Sequence, residues 1–231
     1  MVNITQIASP NFTTRRHGRG PDMVVLHHTA MASCGAAVQR LRDPETEVSA
    51  HYVISENGNV FQLVDEDMRA WHAGAGSWGN VTDVNSHSIG IELANAGPLA
   101  GFPPFPEPQM AASEDLLKAI LTRHSINPER VIAHSDMAPA RKFDPGAKFD
   151  WRRLAVGGLS VWPDPDPVEG ADFVKDAAQF GYDTSHPEDV LLAAFRLRFR
   201  QGTTGPLNDL DRAIIRDLAR RFPVDQSSST P

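Results

Sequence analysis

Cysteine is nearly absent from this sequence, because Cys34 is the single cysteine among 231 residues. An intrachain disulfide needs two cysteines and a zinc cage of thiolates needs more, so both are excluded. Long apolar runs are missing as well, and none approaches the ~20 residues that a membrane-spanning helix requires. A net charge of -7 argues against a general nucleic-acid binder.

The composition is otherwise that of a globular protein, with 41% hydrophobic and 22% charged residues. This supplies enough apolar material for a core. The length predicts one main domain and a smaller one. The N-terminal segment lacks a charged start followed by a long apolar stretch, so it does not resemble a secretory signal peptide.

The first part of the chain alternates strands with helices. Met23–His28 is apolar up to two adjacent histidines and predicts a buried strand, and Ser33 can cap the helix that follows. Residues 49–64 predict a hairpin in which Asn57 and Gly58 supply the positive φ values of a tight turn. The glycine-rich "AWHAGAGSWGN" predicts an ordered surface loop.

Two further strands and a helix complete this part. "HSIGIELAN" alternates like a strand, and "RVIAH" is a short strand that ends on a histidine. Between them, a proline-rich segment that cannot be helical precedes a helix through "MAASEDLLKAILTRHSI". The elements together predict an α/β domain with a mixed central β-sheet flanked by helices.

The end of the chain predicts a small all-helical module. Proline and aspartate dominate "VWPDPDPVEG", which is typical of a linker, and helical patterns follow at about 171–181, 187–200 and 208–222. The predicted division is a lead-in at 1–22, a catalytic domain at 23–162, a linker at 163–170, the helical module at 171–223 and a flexible tail at 224–231.

Three groups that can bind a metal lie at or just beyond strands: His27, His134 and Asp144. Two imidazoles and one carboxylate form a catalytic type of zinc set that leaves the fourth position open. A single histidine at a strand end more often fills a core position. Successive side chains on a strand point to opposite faces, so His27 and His28 cannot both face one site.

Several segments resemble, in the same order, the zinc N-acetylmuramoyl-L-alanine amidases of the AmpD/AmiD type, which are related to peptidoglycan recognition proteins. The matching segments are "VVLHHTA", "VSAHYVISENGNVFQLVDE", "AWHAGAGSW", "NSHSIGIELAN", "VIAHSDMAPARKFDPG" and "DWRRLA", within about residues 23–162. The similarity is greatest to AmiD-like members, and the C-terminal helices resemble a diverged peptidoglycan-binding module.

The resemblance implies a role for each candidate residue. His27, His134 and Asp144 would hold one zinc ion, and Glu92 and Lys142 would be catalytic. The alternative for Glu92 is a buried salt bridge, and without the resemblance Lys142 would be read as a solvated surface group. If His27 faces the metal, His28 faces the opposite side of the strand, where it would hydrogen-bond a backbone carbonyl.

The resemblance also implies a substrate groove lined by His51, Trp71 and His72. An aromatic face can pack on a sugar or a peptide stem, and imidazoles can donate to carbonyls. Trp71 would also suit a core position.

The implied reaction is hydrolysis of the amide between the lactyl group of (anhydro-)N-acetylmuramic acid and L-alanine of the stem peptide. The partners would be muropeptides or the sacculus. The alternatives are a non-catalytic peptidoglycan-binding protein on the same fold and a zinc hydrolase with an unrelated substrate. Lack of a signal peptide and of a lipid-modified cysteine favours the cytoplasm, and the wall-binding resemblance favours the periplasm.

Overall fold

The computed structural model describes residues 3–18, 20–165 and 171–225. The strands are β1 (Ile4–Gln6), β2 (Phe12–Thr14), β3 (Met23–His28), β4 (Tyr52–Ile54), β5 (Val60–Gln62), β6 (Met68–Ala70), β7 (Ser88–Leu93) and β8 (Val131–Ala133). The helices are α1 (Cys34–Arg42), α2 (Val84–His87), α3 (Glu107–His124), α4 (His134–Met137), α5 (Trp151–Val156), α6 (Phe173–Phe180), α7 (Glu188–Phe199) and α8 (Asp209–Arg221).

Six strands form the central sheet in the order β1-β5-β4-β7-β3-β8. The neighbours β4 and β5 are antiparallel, and the other neighbouring pairs are parallel. A separate antiparallel pair joins β2 to β6. The predicted mixed sheet flanked by helices is confirmed, and parallel neighbours bring the carboxyl ends of β3, β7 and β8 to one edge.

Strand β3 is buried on both faces, which explains its continuous apolar sequence. Val24 and Leu26 face a core that contains Leu117 and Ile120 of α3. Met23 and Val25 face a second core, which is shared with the C-terminal helices. The period of two along a strand therefore places His27 on the side of the C-terminal helices and His28 on the side of α3.

The three C-terminal helices predicted from the sequence are α6, α7 and α8, and they pack onto the sheet. Phe180, Phe195 and Leu218 lie in one apolar cluster with Val25 of β3 and Ile132 of β8. The predicted boundary between the domain at 23–162 and the C-terminal helical module stays a prediction. The shared core means that the helices cover a face of the sheet that would otherwise be exposed.

Two local predictions differ from the structure. Five residues connect β4 to β5, and within them Gly58 has a φ of 82° while Asn57 stays at negative φ, so the turn is longer than the tight turn expected. Helix α3 begins at Glu107, inside the segment predicted to be non-helical. Pro108 is tolerated there because amides of the first turn have no partner within a helix.

The polar lead-in contributes structure too, since β1 pairs with β5 and β2 pairs with β6. Residues 166–170 of the predicted linker and 226–231 of the predicted tail lie outside the described residues. Within the described part of the chain, no helix combines the length and the apolar character needed to cross a membrane.

Candidate metal centre

Two imidazoles and one carboxylate converge at the carboxyl ends of β3 and β8. His27 lies one residue before the end of β3, and His134 begins α4 directly after β8. Nδ1 of His27 lies 2.9 Å from Nδ1 of His134 and 3.1 Å from Oδ2 of Asp144, and the distance between His134 Nδ1 and that oxygen is 3.0 Å. All three residues are buried, and the three ligand atoms face one point.

The outer nitrogens of the two imidazoles act as donors. Nε2 of His134 donates to the carbonyl oxygen of Ala73 at 2.9 Å, so its Nδ1 is the nitrogen that faces His27 and Asp144. Nε2 of His27 lies 3.0 Å from Nδ1 of His72, and Nε2 of His72 lies 3.2 Å from Oγ of Ser88. The Ser88 hydroxyl donates to a backbone carbonyl at 2.6 Å, so it can only accept from His72. Each imidazole in this series therefore donates through Nε2.

Burial supports the neutral form of these imidazoles. It lowers the pKa of His27 to about 4, with the neighbouring His134 adding to the shift. It also lowers the pKa of His72 well below 6.5, with His27 as the second cause. A neutral His27 ring whose Nε2 donates presents its Nδ1 lone pair toward the carboxylate of Asp144.

This donor set fits a zinc ion. Three atoms that can each offer a lone pair lie 2.9–3.1 Å apart, an arrangement that a cation between them stabilises. Zinc–ligand distances of about 2.0–2.2 Å in a tetrahedron place ligand atoms roughly 3.3–3.5 Å apart. Small outward movements would therefore accommodate the ion. Outer partners such as His72 and the Ala73 carbonyl are the groups that usually orient metal-bound histidines.

Glu92 lies beside His27 on the same face of the sheet, because the two residues are paired in the register of β7 and β3. Its Oε2 is buried and has no hydrogen-bond partner among the described residues. Burial raises the pKa of Glu92 to about 8, the charge of Asp144 adds to the rise, and Lys142 opposes it. The described residues offer no buried salt bridge to this oxygen, so the carboxylate is available for proton transfer.

Lys142 lines the same cavity as Glu92 and Asp144. Its charge contributes to lowering the pKa values of both His27 and Glu92, so the ammonium lies within electrostatic reach of the site. Phe143, between Lys142 and Asp144, is 45% exposed and packs its ring against His28, with centroids 5.6 Å apart. This position fits an electrostatic role better than that of a solvated surface lysine.

His28 faces away from the metal ligands. It is buried, and its Nδ1 lies 3.1 Å from the carbonyl oxygen of Pro145. The prediction that His28 bonds a backbone carbonyl on the opposite side of the strand is confirmed. Because Pro145 follows Asp144, this bond also holds the segment that carries the third ligand.

The three predicted groove residues lie at different depths. Trp71 is half-buried and lines the cavity. His72 also lines it, but its ring nitrogens already contact His27 and Ser88, so its contacts suit orientation of a ligand better than substrate recognition. His51 is fully buried outside the cavity, where Nδ1 accepts from the Gly90 amide at 2.9 Å. The position of His51 does not support the predicted substrate contact.

A cavity of about 330 Å³ opens beside the ligand atoms. The predicted site residues that line it are His27, Trp71, His72, Glu92, His134, Lys142 and Asp144. Arg40 and Arg141 also line it, and they favour an anionic ligand. Arg141 is held in place by hydrogen bonds to the carbonyl oxygens of Ala73, at 3.0 Å, and Ala75.

Three supporting residues were missed by the sequence analysis. Asn85 accepts through Oδ1 from the amides of His72 and Ala73, at 3.1 and 2.8 Å, and so shapes the loop behind the site. Ser88 fixes the orientation of His72. Gly90 makes room for that ring, because a Cβ at this position would lie 2.4 Å from Cγ of His72. A glycine inside the strand pattern "HSIGIELAN" was the available signal for such a close approach.

The fold and the site together have the arrangement of a mononuclear metal-dependent hydrolase: a His-His-Asp donor set at a sheet edge, with a free glutamate beside it. A family model described as N-acetylmuramoyl-L-alanine amidase matches residues 17–147. The chain is 37% identical to N-acetylmuramoyl-L-alanine amidase AmiD of Escherichia coli, over 88% of this chain and 84% of that protein. It belongs to the N-acetylmuramoyl-L-alanine amidase family.

Solved structures agree with this assignment. A complex of Escherichia coli AmiD with anhydro-N-acetylmuramic acid-L-Ala-D-gamma-Glu-L-Lys matches with a TM-score of 0.78 and 32% identity, covering 93% of this chain and 99% of that one. AmpDh3 of Pseudomonas aeruginosa in complex with anhydromuramic pentapeptide matches with a TM-score of 0.80 and 31% identity, covering 91% and 96%. Because the matches cover 91–93% of 231 residues, both extend beyond residue 162.

Proposed function

We propose that this protein hydrolyses the amide between the lactyl group of N-acetylmuramic acid and L-alanine in peptidoglycan fragments, with one zinc ion held by His27, His134 and Asp144. The convergence of three lone-pair donors next to the unpaired carboxylate of Glu92 is the observation that carries this proposal. The similar structures with bound anhydro-muropeptides support the substrate class.

Glu92 acts as the proton carrier. Bound zinc supplies Lewis-acid chemistry that polarises the scissile carbonyl and makes water more acidic. Glu92 accepts the proton of the attacking water and later delivers it to the departing amine of L-alanine. Its raised pKa makes it a stronger base than an exposed glutamate and suits both steps near neutral pH.

Lys142 stabilises negative charge. When water adds to the amide carbonyl, the carbonyl oxygen becomes negative, and an ammonium placed in a partly buried cavity stabilises it more than it would in water. Trp71 supplies an apolar wall for the substrate. Arg40 and Arg141 would attract the carboxylates of the stem peptide, because they place positive charge at the cavity wall.

Two further sequence predictions remain open to test. We retain the helices after residue 170 as a candidate wall-binding region that is packed on the catalytic sheet. Binding of purified protein to insoluble sacculi, with and without substitutions on the exposed faces of these helices, tests that role. Location in the cytoplasm, with the periplasm as the alternative, also stays a prediction, and cell fractionation tests it.

The central experiment measures zinc and products on the same preparation. Zinc-loaded protein should release free stem peptide beginning with L-alanine from soluble anhydro-muropeptides, and mass spectrometry identifies both products. His134→Ala should lose zinc and activity together, because one of three ligands is gone. His186→Ala, at a partly exposed histidine, is the matched control and should keep both. A zinc-loaded protein that binds muropeptide without releasing peptide would overturn the proposal in favour of a binding protein.

A further inference from the structure

A fully buried ion pair joins the C-terminal helices to the metal centre. Arg198, near the end of α7, donates through one terminal nitrogen to Oδ2 of Asp136 at 2.6 Å, and neither side chain is exposed. Asp136 lies two residues after His134, in the single turn of α4. Burying two charges is costly, and a buried ion pair is weak evidence for a gain in stability. Its position next to a metal ligand suggests another role.

The carboxylate of Asp136 holds the start of the turn that carries His134. Its Oδ2 also accepts from the amide of Ala133, the residue before the ligand, at 2.9 Å. Its Oδ1 accepts from the hydroxyl of Tyr182 at 2.7 Å. The turn is tied to the third ligand as well, because the Ser135 amide donates to the carbonyl oxygen of Asp144 at 3.0 Å. One carboxylate therefore fixes the backbone around His134.

Arg198 is itself held rigidly in place. Its second terminal nitrogen donates to the carbonyl oxygen of Val131, at the start of β8, at 3.0 Å, and to Oγ of Ser160 at 3.1 Å. Its guanidinium carbon lies 4.4 Å from the ring centroid of Trp151. A planar guanidinium fixed by stacking and by several acceptors defines the position of Asp136 better than a flexible ammonium would.

We propose that Arg198 and Tyr182, acting through Asp136, are positioning residues for the metal ligand His134. They hold the turn so that Nδ1 of His134 faces His27 and Asp144. The C-terminal helices thereby complete the metal centre in addition to covering the sheet. This inference rests on the proposed metal site, and its test contains one measurement that needs no metal.

The same helix offers a matched control. Arg196 lies two residues before Arg198 on the other side of α7, is also buried, and pairs through Nε with Oδ1 of Asp211 at 3.1 Å. Asp211 belongs to α8 and has no part in the metal centre. After loss of its arginine, each aspartate keeps one side-chain partner, Tyr182 for Asp136 at 2.7 Å and Arg200 for Asp211 at 2.8 Å, and one backbone amide. Arg198→Met and Arg196→Met each remove one buried arginine of α7 from an aspartate; Asp211 keeps the charge of Arg200, and only Asp136 belongs to the turn that carries His134.

The experiment measures zinc affinity by competition with a chelator, together with the visible spectrum of the cobalt-substituted protein. Arg198→Met should weaken zinc binding about 10–100-fold, as loss of outer-shell support does in other metal sites, and should alter the cobalt spectrum. Tyr182→Phe, which removes one hydrogen bond and keeps the ring, should shift zinc affinity in the same direction by a smaller factor. Arg196→Met should lower the unfolding midpoint and leave zinc affinity and the cobalt spectrum as in the wild type.

Two outcomes overturn the proposal. If folded Arg198→Met and the wild type bind zinc with equal affinity, the ion pair contributes only to stability and does not position His134. Equal weakening in Arg198→Met and Arg196→Met would assign the effect to general loss of stability. If Arg198→Met does not fold, Tyr182→Phe tests the proposal instead. A wild-type zinc affinity and a wild-type cobalt spectrum in Tyr182→Phe would overturn the proposal.

Hydrogen exchange of the metal-free protein separates this inference from the proposed function. The amides of Ala133 and Ser135 should exchange faster in Tyr182→Phe and Arg198→Met than in Arg196→Met. If the wild type binds no zinc yet shows this difference, the proposed function fails and the positioning network stands. If the wild type binds zinc and exchange at these amides is the same in all variants, the network fails and the proposed function stands.

Discussion

Replacement of Glu92 by glutamine should make the metal-free protein more stable at high pH while it abolishes most of the activity. The pKa of Glu92 rises from 4.5 to about 8 in the fold, chiefly because the carboxyl group is buried. A raised pKa means that the folded state prefers the neutral form. The stability contributed by neutral Glu92 is therefore fully present below about pH 4.5 and is lost as the pH rises toward about 8.

The size of this effect follows from the two pKa values. One pKa unit corresponds to about 1.36 kcal/mol. Between about pH 5 and about pH 8, ionisation of Glu92 should cost the folded state roughly 3–4 kcal/mol relative to the unfolded state. Glutamine has a similar shape and does not ionise, so the variant should lack this loss.

Urea denaturation of wild type and Glu92→Gln, each in chelator at several pH values, measures the difference in the free energy of unfolding. That difference should grow by roughly 3–4 kcal/mol in favour of the variant over this pH interval. Other titrating groups cancel in the comparison because both proteins contain them. On the zinc-loaded proteins, kcat on a soluble muropeptide should fall by about 10²–10⁴-fold in the variant.

A stability difference that does not change with pH would refute the reasoning, because it would mean that Glu92 ionises in the fold as easily as in the unfolded chain. A wild-type kcat in Glu92→Gln would remove the proton-carrier role independently. Zinc content measured on the same samples distinguishes a catalytic defect from metal loss.

The remaining predictions concern the other parts of the site. Lys142→Ala should keep zinc and nearly the wild-type KM while kcat falls by about 10²–10³-fold, because its interaction forms mainly in the transition state; a raised KM at constant kcat would reassign Lys142 to substrate binding. Gly90→Ala should push the His72 ring away from His27 and weaken zinc binding by about 10–100-fold. Its control is Gly157→Ala, where the nearest atom lies 3.4 Å from the new Cβ, and equal zinc affinities in the two variants would contradict the role of His72. A chain ending at residue 162 should show no cooperative unfolding transition, because the face of β3 that packs on the C-terminal helices becomes exposed; a folded and active truncated protein would contradict this.

The residues of the candidate metal site were predicted because the short segments that carry them resemble a known family, and the strand pattern agrees with that resemblance. Strand β3 is a short apolar run, and its end marks an edge of the sheet where parallel neighbours also end. Alternation along that strand separates His27 from His28, although sequence alone could not say which one faces the metal. Glu92 was visible as an acidic residue among apolar neighbours, which is unusual enough to require a reason.

The supporting contacts were beyond sequence reasoning because they join distant segments. Ser88 and His72 are sixteen residues apart and meet only when β7 is placed beside the glycine-rich loop. Arg198 lies in a helical pattern near the end of the chain, where an arginine usually faces solvent, yet it is fully buried. Its partner Asp136 is sixty-two residues away. No periodicity within either segment records such a pairing.

The short edge strands were missed for a related reason. Strands β1 and β2 have three residues each, and although Ile, Phe and Thr favour strands, three residues are too few to form a recognisable alternating pattern. Their conformation is set by pairing with β5 and β6. A residue from the same segment, Arg15, donates to the carbonyl oxygens of Ser86 and Ser88 at 2.9 and 3.0 Å, which a polar, exposed lead-in would not predict.

Burial of β3 on both faces has a consequence for the accuracy of folding. A slip of one residue normally moves apolar side chains into water, and that penalty enforces the register of most strands. In β3 such a slip would exchange Met23 and Val25 for Val24 and Leu26, and it would present His28 where His27 should be. Polarity alone therefore barely distinguishes the two registers. The native register must therefore be selected by side-chain shape and by hydrogen-bond acceptors. The acceptor is His72 for His27 and the Pro145 carbonyl for His28. The two adjacent histidines thus help to select the native register of β3, because each ring reaches its hydrogen-bond partner only in that register.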